Sequence, residues 1–385
     1  MKAIILAAGR GTRIQPITYS IPKPMIPIIR KPVMEFLIEL LHRHGIRQIM
    51  VNTSYLAPTI EDYFRDGSRY GVQIAYSFEG YLEDGHIVDA PVGSGGALKK
   101  IQDHSGFFDE TFLVLCGDAL IDLDLTELLS RHRESKAVAT IALAEVPRDQ
   151  VSSYGVVVRS FDGRIREFQE KPSVAEAKSN TVNTGIYVFE PEVLERIPSG
   201  TNYDIGSQLF PDLVRRDAAF FGVTLPFQWL DIGKITDYYK VMQMALIGNI
   251  HGFRVPGTEV RPGIRFGLNV RADLSRCHLT PPIFVGGSST LEPGCTIVGP
   301  TMIGSGCRIE ADSHIEKSLV FDYTRIGREA FVRNAMISGK YCIDSSGGVV
   351  DLERANVGWI AGDARSPQKS LNEEQQELLR MLKDL

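Results

Sequence analysis

Arg13 and Lys23 flank the stretch "IQPITYSIP", just behind Gly9 and Gly11, which break an apolar run in "KAIILAAGRGTR". A glycine loop at a strand end lets backbone N–H groups close around an anion. Pro22 and Pro24 fix the dihedrals on either side of Lys23, so its ammonium is held in one place. Two fixed cations beside such a loop suit a polyphosphate.

Carboxylates recur at positions that could complement those cations. "FLVLCGD" ends an apolar run with Asp118, and an acid at a strand's carboxyl end can hold Mg²⁺ against phosphate oxygens. Asp122 and Asp124 alternate with Ile121, Leu123 and Leu125 and read as a solvated loop or a helix start. "FQEKP" offers Glu170 as an acceptor for hydroxyls and Lys171 as a cation for a monophosphate. "WLDIG" sets a second carboxylate, Asp231, before a glycine turn.

These groups need a scaffold that gathers them. Over the first half of the chain, apolar runs alternate with helix-like stretches: "KAIILAA", "VMEFLIELLHRHG", "IRQIMVNT", "TIEDYFRDGSRYG" and "VQIAYSF", with Gly45 and Gly71 as helix stops. "TFLVLCGD", "AVATIALAEV" and "TGIYVFE" continue the pattern. A β-α-β-α-β order predicts an α/β domain with a Rossmann-like, doubly wound sheet, whose ligand sits over the carboxyl ends of the strands. "GRGTR" lacks the G-x-G-x-x-G spacing and has no helix directly behind it, which argues against a dinucleotide cofactor.

Near residue 250 the period changes. Val285, Leu291, Ile297, Ile303, Ile309 and Ile315 recur every sixth residue, and Ile326 and Val332 resume the step after an apparent insertion. This spacing predicts a hexapeptide solenoid, a left-handed parallel β-helix. The expected domains are residues 1–250 and 251–362, followed by a tail helix over 363–385. In that tail Leu371, Leu378, Leu382 and Leu385 form a stripe after a breaker at Pro367 and an N-cap at Ser370.

Composition narrows the class. A net charge of −5 and 23% charged residues give no basic field for a nucleic acid, and no apolar run reaches bilayer length. Five cysteines without a C-x-x-C pair suggest reduced thiols in a cytoplasm rather than a disulfide framework or a zinc ribbon.

The motifs "LAAGRGTRIQPITYSIPKPMIP", "VGSGGAL", "CGD", "SYGVV", "EKP", "VNTGIYVF" and "WLDIG" occur in that order over about the first 245 residues. Together they resemble the sugar-1-phosphate nucleotidylyltransferases, or NDP-sugar pyrophosphorylases. The resemblance implies a nucleoside triphosphate held by Leu6, Ala8, Gly9, Gly11, Thr12 and Arg13, with Lys23 on its phosphates. It implies a base near Glu79 and the loop of Gly93, Ser94 and Gly95. Mg²⁺ is implied between Asp118 and Asp231. A hexose 1-phosphate would meet Lys171, with Glu170, Asn183 and the Gly155 backbone on its hydroxyls. Cys116 stands where many relatives carry asparagine or another polar residue.

The expected reaction is in-line attack of the sugar-phosphate oxygen on the α-phosphorus, with pyrophosphate leaving and no covalent enzyme intermediate. Arg13, Lys23, Asp118, Lys171 and Asp231 are the expected catalytic set. The layout resembles both mannose-1-phosphate guanylyltransferases and cyanobacterial-type UDP-glucose pyrophosphorylases, and the stretch "YSFEGYLEDGHIVDAPVGSGGALKKI" resembles the latter more, which orders the substrates as UTP with glucose 1-phosphate, then GTP with mannose 1-phosphate. Two other classes compete: a non-catalytic regulatory subunit, which would have lost ligands that are all present here, and an acyltransferase solenoid using His314 as base. A homo-oligomer, dimer or tetramer, is expected because solenoid ends expose strand edges.

Overall fold

The computed structural model describes residues 1–366. The tail helix expected beyond 366, with its leucine stripe, lies outside the described residues. Contacts divide the described residues into two compact units, one of residues 1–27 and 31–233 and the other of residues 28–30 and 234–366.

The first unit is built on a nine-stranded mixed sheet. Its chain order begins β1 (Lys2–Leu6), α1 (Val33–Arg43), β2 (Gln48–Thr53), α2 (Ala57–Phe64), β3 (Gln73–Phe78), α3 (Ser94–Ser105), β4 (Phe112–Cys116), β5 (Ala119–Ile121) and α4 (Leu125–Glu134). It continues with β6 (Ala139–Glu145), β7 (Gly155–Arg159), β8 (Ile165–Glu170), β9 (Thr181–Phe189), α5 (Phe210–Arg215), β10 (Phe220–Thr224) and β11 (Trp229–Asp231). Strands β3, β2, β1 and β4 lie side by side and parallel. β9 runs antiparallel beside β4, and β6 pairs with β9 and β10.

A strand covered on both faces needs an unbroken apolar run, and β1 has one. Ala3 and Ile5 pack on one face with Leu37, Leu41 and Ile60, while Ile4 packs on the other with Leu98, Phe112 and Val114. α1 buries Val33, Met34, Leu37, Ile38 and Leu41 along one stripe and gives way to Gly45 at φ 75°. Asp124 is the N-cap of α4, its carboxylate accepting from the N–H groups of Thr126 and Glu127 at 2.9 and 3.1 Å. The chain leaves β1 for β2 and β3 on one side and returns to β4 on the other, so the sheet's switch point lies between β1 and β4. There Leu6 is in register with Cys116.

The second unit holds α6 (Ile235–Leu246) and a three-sided parallel β-helix. All eight residues of the six-step pattern point inward and are at most 4% exposed. The irregularity after Ile315 is a shortening and not an insertion. Ile309 pairs with Ile326 and Ile315 with Val332 in a coil that closes one residue early, and Val320, fully buried, fills the intervening corner. α6 lies against strand Thr301–Ile303, and Tyr238 stacks on Phe321 with rings 6° from parallel. Residues 28–30 belong to this unit: the Ile29 N–H meets Met242 Sδ at 3.4 Å, and Arg30 donates to Ser305 Oγ at 2.6 Å.

Candidate active site

Past Leu6 the chain turns through a loop whose shape depends on Gly11. Its φ of 64° is left-handed, and its carbonyl accepts from the Ile14 N–H at 3.0 Å and from Thr18 Oγ1 at 2.9 Å. A Cβ there would lie 3.0 Å from Lys23 Cβ, so glycine is required both by the backbone and by the approach of Lys23. At Gly9 a Cβ would meet nothing within 4 Å, and Gly9, Thr12 and Arg13 face open space.

Lys23 heads a short turn in which the Met25 N–H donates to the Pro22 carbonyl at 2.8 Å. Its side chain is only 11% exposed, and its ammonium pairs with the Asp118 carboxylate. Asp118 is placed by the strand ends: the Gly117 N–H donates to the Leu6 carbonyl at 2.9 Å, and β5 then pairs antiparallel with β11, setting Asp231 opposite Ala119. Both expected metal ligands therefore sit at the carboxyl end of β4.

They line a cleft of about 250 Å³ that also includes Leu6, Gly155, Glu170, Lys171 and Asn183. Gly155 pairs with Glu170 across β7 and β8, and a Cβ on it would come 2.4 Å from the Phe168 ring. Lys171 takes a left-handed φ of 46° and holds its ammonium 3.0 Å from Glu170 Oε1. The Asn183 amide donates to Tyr187 Oη at 3.1 Å and accepts from the Gly185 N–H at 2.9 Å. It thereby shapes an irregularity in β9 that faces Ile141–Leu143. Gly185, at φ 77°, lies over Cys116, whose Sγ would be 2.8 Å from an added Cβ. Burial, and then the Asp118 carboxylate, push the Cys116 thiol far above its ordinary range.

The N-cap and first turn of α3 behave differently from a phosphate cradle. The Gly95 and Gly96 N–H groups both donate to the Tyr203 carbonyl, at 2.8 and 2.9 Å. Added Cβ atoms on Gly93 and Gly96 would come within 2.6 Å of the Tyr203 carbonyl oxygen and 2.8 Å of the Thr201 one. These glycines allow close packing of α3 on residues 201–203. Ser94 reaches the cleft: its hydroxyl donates to Asp204 Oδ2 and accepts from the Ile205 N–H, each at 2.8 Å. Glu79 does not line the cleft. It is 1% exposed, and its two carboxylate oxygens accept from Asn52 Nδ2 and the Val92 N–H.

Asp204, Tyr154 and Trp229 are among the cleft-lining residues that sequence reasoning did not single out. Asp204 accepts from the Ser207 N–H at 2.8 Å. Burial works against its charge, but hydrogen bonds from Ser207 and Ser94 prevail and hold its carboxyl below the ordinary value. Only an N-cap signal in "YDIGSQ" marked it. Tyr154 and Trp229 meet with ring centroids 5.1 Å apart, and both stand inside motifs whose other residues attracted the reading.

The donor set can be tested for a metal. Among the described residues no group of three or more His, Cys, Asp or Glu is arranged to hold one. Two carboxylates at one strand end nevertheless fit Mg²⁺, which is commonly held by one or two carboxylates plus substrate phosphates and water.

Residues 2–246 match the family described as nucleotidyl transferase, and residues 285–354 match the GlmU-like C-terminal hexapeptide. The chain belongs to the nucleotidyl transferase family. It is 51% identical over 385 residues to a UTP–glucose-1-phosphate uridylyltransferase of Synechocystis sp., covering 99% of both chains. A mannose-1-phosphate guanylyltransferase of Mycobacterium tuberculosis is 30% identical over 327 residues, 84% of this chain and 80% of that one. A solved UDP-glucose pyrophosphorylase bound to UDP-glucose shares the fold, with a TM-score of 0.53 and 24% identity over 63% of this chain and 96% of that one.

Proposed function

We propose that the protein transfers the uridylyl group of UTP to glucose 1-phosphate, giving UDP-glucose and pyrophosphate. The observation that carries this reading is the full-length likeness to the Synechocystis uridylyltransferase, and the cleft is its chemical counterpart. Lys171 would take the sugar phosphate, while Glu170, Asn183 and the Gly155 backbone would receive sugar hydroxyls. The triphosphate would lie over Leu6, Ala8, Gly9, Gly11 and Thr12, with Arg13 and Lys23 on its phosphates. The base would lie toward the loop of Gly93, Ser94 and Gly95.

Two anions must be brought into line, so neutralisation and alignment are the chain's task. The Lys23 ammonium carries three N–H donors, so while it pairs with Asp118 it can also donate to a phosphate oxygen. Asp118 and Asp231 would hold Mg²⁺, which when bound supplies a Lewis acid for the phosphoryl oxygens. Arg13 and Lys23 then stabilise the departing pyrophosphate.

We further propose a homo-oligomer, dimer or tetramer, in the cytoplasm. Five free cysteines support a reducing compartment, and the strand Phe331–Arg333, which among the described residues ends its sheet with Phe331 exposed, supports assembly through the solenoid.

Pyrophosphate release across the four ribonucleoside triphosphates plus dTTP, against glucose, mannose and galactose 1-phosphates, tests the central reading. UTP with glucose 1-phosphate should be preferred. A preference for GTP with mannose 1-phosphate would replace it, and inactivity with every pair would overturn it.

A further inference from the structure

Glu79 is a buried carboxylate with every polar atom engaged. Oε1 accepts from Asn52 Nδ2 at 2.6 Å and Oε2 from the Val92 N–H at 3.0 Å. Its N–H donates to the Thr53 carbonyl at 2.7 Å. Its carbonyl accepts from Ser54 Oγ at 2.7 Å and from the Ala90 N–H at 3.1 Å. Asn52, 3% exposed, in turn accepts from the Ala7 N–H at 2.7 Å.

One buried line of hydrogen bonds thus runs from Ala7, the first residue of the glycine loop, through Asn52 and Glu79 to Val92, just ahead of Gly93. Its polarity is constrained. Main-chain N–H groups donate at both ends, so the two side chains between them must accept outward and still share one donor. One amide and one carboxylate satisfy this. Two amides leave an N–H group facing an N–H group, and two carboxylates set two negative charges together. Burying a charge is costly unless it is paired or hydrogen-bonded, and burial does push the Glu79 carboxyl upward, against the hydrogen bonds from Asn52 and Val92. An apolar side chain would fill the space without that cost, so packing alone does not account for a carboxylate here.

We propose that Asn52 and Glu79 form a strap that sets the spacing of the two nucleotide loops, and that Glu79 is a positioning residue which does not touch the base. This rests on the reading that residues 7–13 and 92–95 hold the nucleotide. The strap acts by fixing the first residue of one loop relative to the entry of the other, so its loss should weaken binding of every nucleotide alike. A base contact would instead change the ranking of bases.

The test is a cycle of Glu79→Gln, Asn52→Asp and the double variant in the full chain, with UTP and GTP binding measured by calorimetry alongside turnover and thermal melting. Each single change leaves a buried donor or acceptor unmatched and should weaken binding of both nucleotides about tenfold. The double variant restores one amide and one carboxylate, in exchanged places, and should recover binding to within about threefold of the wild type. A single variant that fails to fold leaves the double variant to decide. The strap is overturned if Glu79→Gln changes the UTP to GTP preference about tenfold. It is also overturned if the double variant binds as weakly as the singles combined, or if it regains its melting temperature without regaining nucleotide affinity. A wild type that turns over neither UTP nor GTP would refute the functional reading instead, since the binding cycle can be read without turnover.

Discussion

Removing the charge from Asp118 should cost stability as well as activity, because that carboxylate has a second task. Lys23 keeps 11% of its side-chain surface exposed and Asp118 31%, so the ammonium depends on its partner more than the carboxylate does. In Asp118→Asn the side-chain oxygen can still accept from the ammonium, a bond still charged at its donor, and what is lost is the attraction between two opposite charges. At a half-open, solvent-screened pair that attraction is worth about 1 kcal/mol. For a domain of this size that lowers Tm by about 2–4 °C. Cutting the pair outright in a dry interior would cost about 3–5 kcal/mol, which this half-open site should not reach.

Turnover should respond on a different scale, falling by about a hundredfold or more on the reading that Asp118 and Asp231 would hold Mg²⁺. The assay pairs thermal melting without nucleotide and pyrophosphate release at a series of Mg²⁺ concentrations, on Asp118→Asn, Lys23→Met and the double variant. With Lys23 gone, the change at Asp118 should no longer destabilise, so the two changes should be non-additive by about 0.5–1 kcal/mol. Additive melting shifts, or wild-type turnover of Asp118→Asn at limiting Mg²⁺, would refute the reasoning.

Two further outcomes follow from the cleft. Lys171→Ala should raise KM for glucose 1-phosphate about tenfold, the equivalent of one charge-assisted hydrogen bond, with KM for UTP little changed in initial-rate kinetics. An effect confined to UTP would remove Lys171 from the sugar-phosphate site. The Asp204 carboxyl is held below its ordinary value of 3.8, so its contribution to stability is present above that pH and is lost as pH falls through the lower folded value. Acid melts of Asp204→Asn should therefore show a shallower loss of stability below about pH 4 than the wild type, and parallel curves would contradict the assignment.

The elements most legible in the sequence were those whose reason is local. Gly11 and Lys23 declare themselves because a left-handed turn and a proline-fixed ammonium lie within one short stretch. The solenoid declares itself because each coil repeats the same inward aliphatic. Even there one residue of shortening between Ile315 and Val320 hid a corner, since periodicity registers a missed step without saying whether residues were gained or lost. What stayed illegible depends on partners far along the chain. Nothing near Gly95 and Gly96 announces that their N–H groups are taken by the Tyr203 carbonyl, and nothing near Glu79 announces that Asn52 and Val92 occupy both its oxygens. A glycine that admits a ligand and a glycine that admits a neighbouring chain segment obey the same steric rule, so composition alone cannot separate them. The register can. β1 aligns Leu6 with Asn52 on one side and Cys116 on the other. That alignment carries Asn52 and the strand that leads to Asp118 to the same end of the sheet, where each of the two carboxylates, Glu79 and Asp118, is held by a residue distant in sequence.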